Sequence, residues 1–473
     1  MATAGSDVTT AATLAAQVDW ERMERWDRAY YLHNVQGAEE HVWNGVAYQE
    51  GNYLYMVDGT RLLDCQSQLI SDNMGHRHPR VVAGLQEALE RYGHVYFGMA
   101  TDYRARAAKL IVDDLLGADG WAGRVRILPS GSDAVDIALT MARIHTGRPI
   151  VLTQEHSFHG LTVGAGTRIR GYNNQISSVE VRHRVRDVPG GELPLFRTIP
   201  APEPEDYDSS QGLPSIEALE QTIGEVGAEN VAAVVTETML GVAGIMGHDH
   251  YLPAVRELTR GHGILWIDDE VICGFGRLGK WFSYQLYDGV LPDLMPIGKG
   301  MNGCILPVGG VVASTEIAEV FERDRWYSGS TWDGHPLVCA TIAANIEAML
   351  DDGAVEHGAE LGLRLREGLD ELHERHRCIG RIGGRGLYHA VDIVGPDGAP
   401  VVPEDRDFDF TGDLSQTPTH IVRREAAKHG VWLTGFVPNT IKVAPPLTVT
   451  SDEIDLALEA FDAGLEETER VYW

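Results

Sequence analysis

The sequence predicts an α/β fold: a large domain with a mostly parallel sheet flanked by helices, plus a smaller α+β domain. Two observations carry this. From His78 onward, helical segments alternate with the short apolar runs VRILPS, PIVLTQ, VAAVVTE, ILWIDDE, LMPIGK and GGVVAS, most of them ending in acidic or glycine residues. Alternation of this kind builds a parallel sheet. After about Leu350 the rhythm changes to a long amphipathic helix (ELGLRLREGLDELHERH), a strand-like GLYHAVDIV, an acidic loop from Pro396 to Thr417, and a last helix-strand-helix.

Residues 1–18 are small and polar and read as a flexible N-terminus. Residues 19–77 carry short strand patterns, with Asp58-Gly59 marking a hairpin in YLYMVDGTRLLDC; this segment is expected to pack with the small domain. Pro79 opens a helix. Residues 78–345 form the expected large domain and 346–473 the small one.

The 473 residues are 44% hydrophobic and 23% charged, which excludes wholesale disorder. Lys plus Arg is 39 and Asp plus Glu is 69, a formal charge of −30 that would repel a phosphate-coated partner, so no nucleic-acid partner is expected. No run of about 18 apolar residues occurs, so no membrane span is expected. The N-terminus has neither a basic n-region nor a long apolar h-region. The five cysteines, Cys65, Cys273, Cys304, Cys339 and Cys378, are scattered and never form CxxC, as suits a cytoplasmic protein with free thiols.

Ligands of open α/β sheets bind beyond the carboxyl ends of the strands, so the residues after each run hold the candidate chemistry. Ser130-Gly131-Ser132-Asp133 precedes a helix whose Ala134, Ile137, Ala138, Met141 and Ala142 share one face and which Gly147 ends. Its N-terminal N–H groups suit a phosphate, or an ordinary Ser cap. Asp268-Asp269-Glu270 ends a buried run and calls for compensation by a protonated pyridine nitrogen, a metal or an Arg. Lys299, crowded by Gly298 and Gly300, could be made nucleophilic by desolvation, as Schiff-base chemistry requires, or could be a surface lysine beside a turn. Phe158, in SFHG, could stack on a flat cofactor or be core.

Rival motifs fit less well. Gly274-Phe275-Gly276-Arg277-Leu278-Gly279 is a formal GxGxxG with Asp293 downstream, but it does not lie directly between strand and helix, and Pro292 spoils the next strand. His248-Asp249-His250, His76 with His78, and His373, His376 with Cys378 lack closed ligand sets, so no metal is expected. No GxSxG elbow and no P-loop occur.

Taken in order, SGSDA, FHG, Asp269-Glu270-Val271 through GFGRLG, Pro292-Asp293-Leu294, Gly298-Lys299-Gly300, Thr331 in GSTWDGHPL and the closing Pro445-Pro446-Leu447 resemble the class III (omega) aminotransferases. The 30-residue spacing from Asp269 to Lys299 is also similar to that family. The resemblance runs from about residue 28 to the end and implies fold type I, the cofactor pyridoxal 5′-phosphate and a homodimer with shared active sites. It also implies ping-pong transfer of an amino group from an amine or amino acid to a carbonyl acceptor. An aminomutase, racemase, epimerase, decarboxylase or phospholyase would share the same motifs and is the alternative.

The same resemblance implies the site residues. Lys299 is the expected Schiff-base lysine and proton shuttle. The resemblance selects Asp269 rather than Asp268 to face the pyridine nitrogen; alternation along a strand sends these neighbours to opposite faces, so only one can point at the ring. Gly131 and Ser132 form the phosphate cup, Phe158 stacks on the ring, Glu237 lies near the substrate, and Thr331 reaches the phosphate in the neighbouring subunit. Three positions depart from the pattern: Thr238 stands where Pro is usual, Ile272 where Gln often touches the ring oxygen, and Gly435 where many members carry a carboxylate-gripping Arg. With Gly435, the expected main substrate carries no α-carboxylate held by that route; Arg168, Arg170 and Lys442 are the candidate alternative cations.

Overall fold

The apolar runs that follow His78 fold as strands. The structure is a computed structural model that describes residues 13, 15–33, 44–162, 196–242, 244–324, 326, 328–402, 417–433 and 439–473. In chain order the strands are β1 (Val46–Glu50), β2 (Tyr53–Met56), β3 (Arg61–Asp64), β4 (Ala122–Leu128), β5 (Ile150–Gln154), β6 (Phe196–Ile199), β7 (Val231–Thr236), β8 (Met239–Leu240), β9 (Ile245–Met246), β10 (Leu265–Asp268), β11 (Leu294–Gly298), β12 (Gly309–Ser314), β13 (Ile379–Arg385), β14 (Tyr388–Ile393), β15 (Val431–Trp432) and β16 (Thr440–Val443). The large sheet has the order β4-β12-β11-β10-β7-β5-β6. All its pairings are parallel except those of β12, which runs antiparallel to both β11 and β4.

Its inner strands β7, β10, β11 and β12 are buried on both faces, which is why they read as continuous apolar runs, while the edge strands β4 and β6 are partly exposed. Alternate residues feed two cores. Val234, Trp266 and Val312 join one, while Val235, Ile267 and Val311 join the other beneath the helices Gly131–Thr146 and Thr315–Arg323.

The helix Gly131–Thr146 ends where expected, but it begins at Gly131, so Gly131, Ser132 and Asp133 form its first turn rather than a loop before it. Ser130 Oγ caps the Asp133 N–H, and Gly147 ends the helix at φ +68°, a left-handed angle that glycine adopts without a Cβ clash. Pro79 opens Pro79–Arg91, and Gly59 at φ +88° closes the β2–β3 hairpin. The GFGRLG segment is a run of turns followed by the single 3-10 turn Ser283–Leu286, with no α-helix directly behind it, which removes the backbone context of a dinucleotide fingerprint. Asp293 is instead bound by both terminal nitrogens of Arg256 at 2.6 and 2.8 Å.

Four strands lay beyond the sequence reading. β6 is a four-residue edge strand, β13 (IGRIGGR) is too glycine-rich to show β propensity, and β8 and β9 are only two residues each; they exist through pairing with β5, with β14 and with each other. The closing helix-strand-helix contains two short strands that serve different sheets: β15 extends β1-β2-β3, and β16 extends β13-β14. β15 thereby ties residues 46–64 to the C-terminal part. The helix Pro336–Asp351 runs across the expected boundary at 345. Among the described residues no helix is long and apolar enough to cross a membrane.

Candidate active site

The ends of β10 and β11 carry the central pair. Past Asp268 the chain stays extended. The Asp269 N–H donates to Thr236 O of β7 at 2.8 Å, and the Glu270 N–H donates to Pro296 O of β11 at 2.9 Å. This pattern sends Asp269 to one face and Asp268 and Glu270 to the other. Lys299 follows β11 directly at φ +42°, a left-handed conformation that costs about 1 kcal/mol or more outside glycine.

One cavity of about 160 Å³ gathers Gly131, Ser132, Phe158, Glu237, Asp269 and Lys299, together with Ser130, His159, Val271 and Ile272. The helix start brings Gly131 and Ser132 to it, and no described residue accepts a hydrogen bond from their N–H groups. Gly131 must lack a side chain, because a Cβ there would stand 2.9 Å from Val271 Cγ1. Ser132 Oγ in turn accepts the Leu161 N–H at 3.2 Å.

Asp269 is 3% exposed and meets His159 Nδ1 at 2.7 Å through Oδ2, while its Oδ1 accepts the Val271 N–H at 3.1 Å. Burial opposes charge on His159, but Asp269 and Glu237 overcome it and hold the imidazole pKa above its ordinary value. Glu237 accepts the Phe158 N–H at 2.7 Å and the Gly241 N–H at 2.9 Å, and burial raises its pKa to about 7. Burial lowers the pKa of Lys299, against the pull of Asp269 and Glu237. A partly desolvated amine between carboxylates is a nucleophile close to its reactive form.

On the opposite face, burial pushes Asp268 well above the carboxylate range and Glu270 up to about 7. Thr238 Oγ1 donates to Asp268 at 3.3 Å, Ser283 Oγ and the Tyr284 N–H donate to Glu270 Oε1 at 2.6 and 3.0 Å, and Glu270 Oε2 has no partner. Burial, together with the repulsion between neighbouring carboxyls, favours the protonated form of Asp268.

The donor set fits pyridoxal phosphate: free helix N–H groups for a phosphate, a carboxylate for a ring nitrogen, an amine for a covalent link, and Phe158 and Val271 as apolar walls. Six of the seven expected site residues line this cavity, while Thr331 is exposed on a loop outside it. Lys442 is buried and donates to Gly241 O at 2.9 Å; it does not line the cavity. Gly435, Arg168 and Arg170 lie outside the described residues. The role of His159 escaped the sequence reading, although FHG was in view: three acids at one strand end needed a partner, and a histidine belonged among the candidates. Among the described residues no group of three His, Cys, Asp or Glu is placed to hold a metal ion.

Comparison with known proteins agrees with this geometry. The profile of the family "Aminotransferase class-III" matches residues 36–465. The putrescine–pyruvate aminotransferase of Pseudomonas aeruginosa is 31% identical over 422 residues, covering 86% of this chain and 87% of that protein. An S-selective transaminase from Arthrobacter sp., solved with alanine bound, superposes with a TM-score of 0.89 at 39% identity, covering 96% of this chain and 99% of that one. The taurine:2-oxoglutarate aminotransferase of Bifidobacterium kashiwanohense, solved with PLP and glutamate, superposes with a TM-score of 0.84 at 26% identity, covering 96% and 99%.

Proposed function

The chain belongs to the class III aminotransferases and is a pyridoxal-phosphate-dependent transaminase of fold type I; we propose how its residues divide the work and what it acts on. Nothing found favours the aminomutase, racemase, decarboxylase or phospholyase alternative. When bound, pyridoxal phosphate supplies the electron sink that lets an amino group leave one carbon and join another. Lys299 anchors it covalently and carries a proton to and from the substrate carbon. Asp269, oriented by His159, keeps a proton on the ring nitrogen. Gly131 and Ser132 hold the phosphate through the helix N-terminus. Phe158 covers the ring, and Glu237 borders the substrate.

The observation that carries these roles is that Lys299 and Asp269, from adjacent parallel strands, open into one cavity. Two copies assemble so that Thr331 of each reaches the other's phosphate. Residues 19–77 and the C-terminal part beyond the helix Pro336–Asp351 form a small-domain unit against the large domain that begins at residue 78, a division supported by β15 joining β3. The chain works in the cytoplasm.

For substrates we propose a primary amine as donor and a small 2-oxo acid as acceptor, the kinds of compound that the putrescine–pyruvate relative names. The α-carboxylate of an amino acid partner is not held at position 435, where glycine stands. A donor panel with the loaded enzyme, followed by visible absorbance, tests this. A primary amine alone bleaches the cofactor band of the native enzyme and not of Lys299→Ala, and pyruvate restores it. A band that persists with every donor, or efficient donors that all carry an α-carboxylate, would sink the reading.

A further inference from the structure

The wall formed by Phe158 and Glu237 is tied to the small sheet through one residue, Gly241. Both oxygens of Glu237 are engaged by backbone: Oε1 by the Phe158 N–H at 2.7 Å and Oε2 by the Gly241 N–H at 2.9 Å. Neither partner is a side chain, so the carboxylate can hold its place only as well as those two backbone segments hold theirs. The Phe158 segment is supported from within the large sheet, where Gln154 Oε1 accepts the Glu237 N–H at 3.0 Å. Gly241 is supported from the other side. Its carbonyl accepts from Tyr388 Oη and, at 2.9 Å, from Lys442 Nζ.

Those two donors are placed as a pair. Lys442 of β16 lies opposite Ala390 of β14, and Tyr388 is two residues from Ala390 along β14. Tyr388, Ala390 and Lys442 therefore share one face of the sheet. That face meets the Met239–Met246 hairpin closely: a Cβ on Gly244 would collide with Ala390 Cβ, and one on Gly383 with Gly244 O. Tyr388 is 0% exposed and Lys442 7%, so water does not compete for the carbonyl. Gly241 has no slack either, since a Cβ there would stand 3.1 Å from Glu237 Oε2 and 2.5 Å from Ile272 Cδ1.

We propose that Tyr388 and Lys442 are positioning residues for the transamination site: by gripping the Gly241 carbonyl they fix the N–H that holds Glu237 and, through Glu237, the Phe158 wall. This rests on the assignment of Phe158 and Glu237 to the cofactor site. Lys442 is thereby occupied with backbone rather than with a substrate carboxylate. Burial lowers its pKa to about 8, so the grip weakens at alkaline pH as the amine loses its charge-assisted bond.

A double-mutant cycle on cofactor binding tests this without relying on turnover. The dissociation constant of pyridoxal phosphate from the apoprotein is measured by absorbance, with near-ultraviolet circular dichroism of the bound cofactor as a second readout. Tyr388→Phe and Lys442→Met are each made in the native and the Glu237→Gln backgrounds. Each weakens binding about tenfold in the native background, the scale of one or two lost hydrogen bonds, and has little further effect once Glu237 is gone. Lys442→Arg, which can still donate to the carbonyl, restores most of the loss. If Lys442→Met fails to fold, the Tyr388→Phe arm alone closes the cycle. Equal losses in both backgrounds, or none in either, overturn the proposal. So does a Lys442→Met variant that raises KM only for carboxylate substrates while the dissociation constant stays unchanged. A native apoprotein that binds no cofactor would instead defeat the site assignment itself.

Discussion

Asp268, Asp269 and Glu270 leave one strand end in succession and meet two different surroundings. Asp269 opens into the cavity that holds Lys299 and is oriented by His159 at 2.7 Å. Asp268 and Glu270 turn into packed protein, where Thr238, Ser283 and the Tyr284 N–H are the donors. Both sides are buried, so burial does not separate a working carboxylate from a structural one. Strong perturbation does not separate them either, since Asp268 and Glu270 are pushed upward yet do not line the cavity of Lys299. The working side is distinguished by a basic partner and by a space into which a ligand fits.

The largest expected effect falls on the cavity side. On the proposed assignment of Asp269 to the ring nitrogen, Asp269→Asn should cut kcat by about a hundredfold or more, because an ionic hydrogen bond would be lost. Asp268→Asn should leave kcat within about tenfold, since it removes no group that faces the ligand. Steady-state rates at saturating donor and acceptor measure both, and the reverse order would break the comparison.

His159→Ala should come next, with a loss of about 10- to 100-fold, the worth of one hydrogen bond to a charged group. The loss should fall mainly on kcat, because His159 acts through Asp269 and not on the substrate. A change confined to KM would place His159 at the substrate instead.

The smallest effect concerns stability on the packed side. The Asp268 carboxyl titrates near 4 in the unfolded chain and well above that when folded. Between those values the folded chain holds more protons, so this group's contribution falls as pH rises through that window. Asp268→Asn removes the titration. The apoprotein variant should match the native melting temperature near pH ~4 and exceed it increasingly as pH rises above that. A variant whose stability relative to the native protein does not change with pH would mean that Asp268 is not held protonated by burial.

Much of this division was legible beforehand. Strand alternation alone put Asp268 and Asp269 on opposite faces, and the small-residue stretch before Ala134 marked the helix that caps the cavity. The histidine partner was not legible, because residues 159 and 269 are brought together only by strand order in the sheet. The supports at Gly241 were hidden for the same reason: Tyr388 and Lys442 lie about 150 and 200 residues further on, and their bonds to it depend on how β14 and β16 pair. β13 escaped because its glycines carry no β signal, and its existence depends on β14.

The central claim is that the lysine behind β11 carries the cofactor. Borohydride reduction of the loaded enzyme, followed by peptide mass mapping, tests it most directly, because reduction makes the lysine link permanent. The account predicts a pyridoxyl adduct on the peptide containing Lys299 and on no other. An adduct on Lys442, the other buried lysine with a lowered pKa, or an unmodified Lys299 in a fully reduced sample, would contradict it.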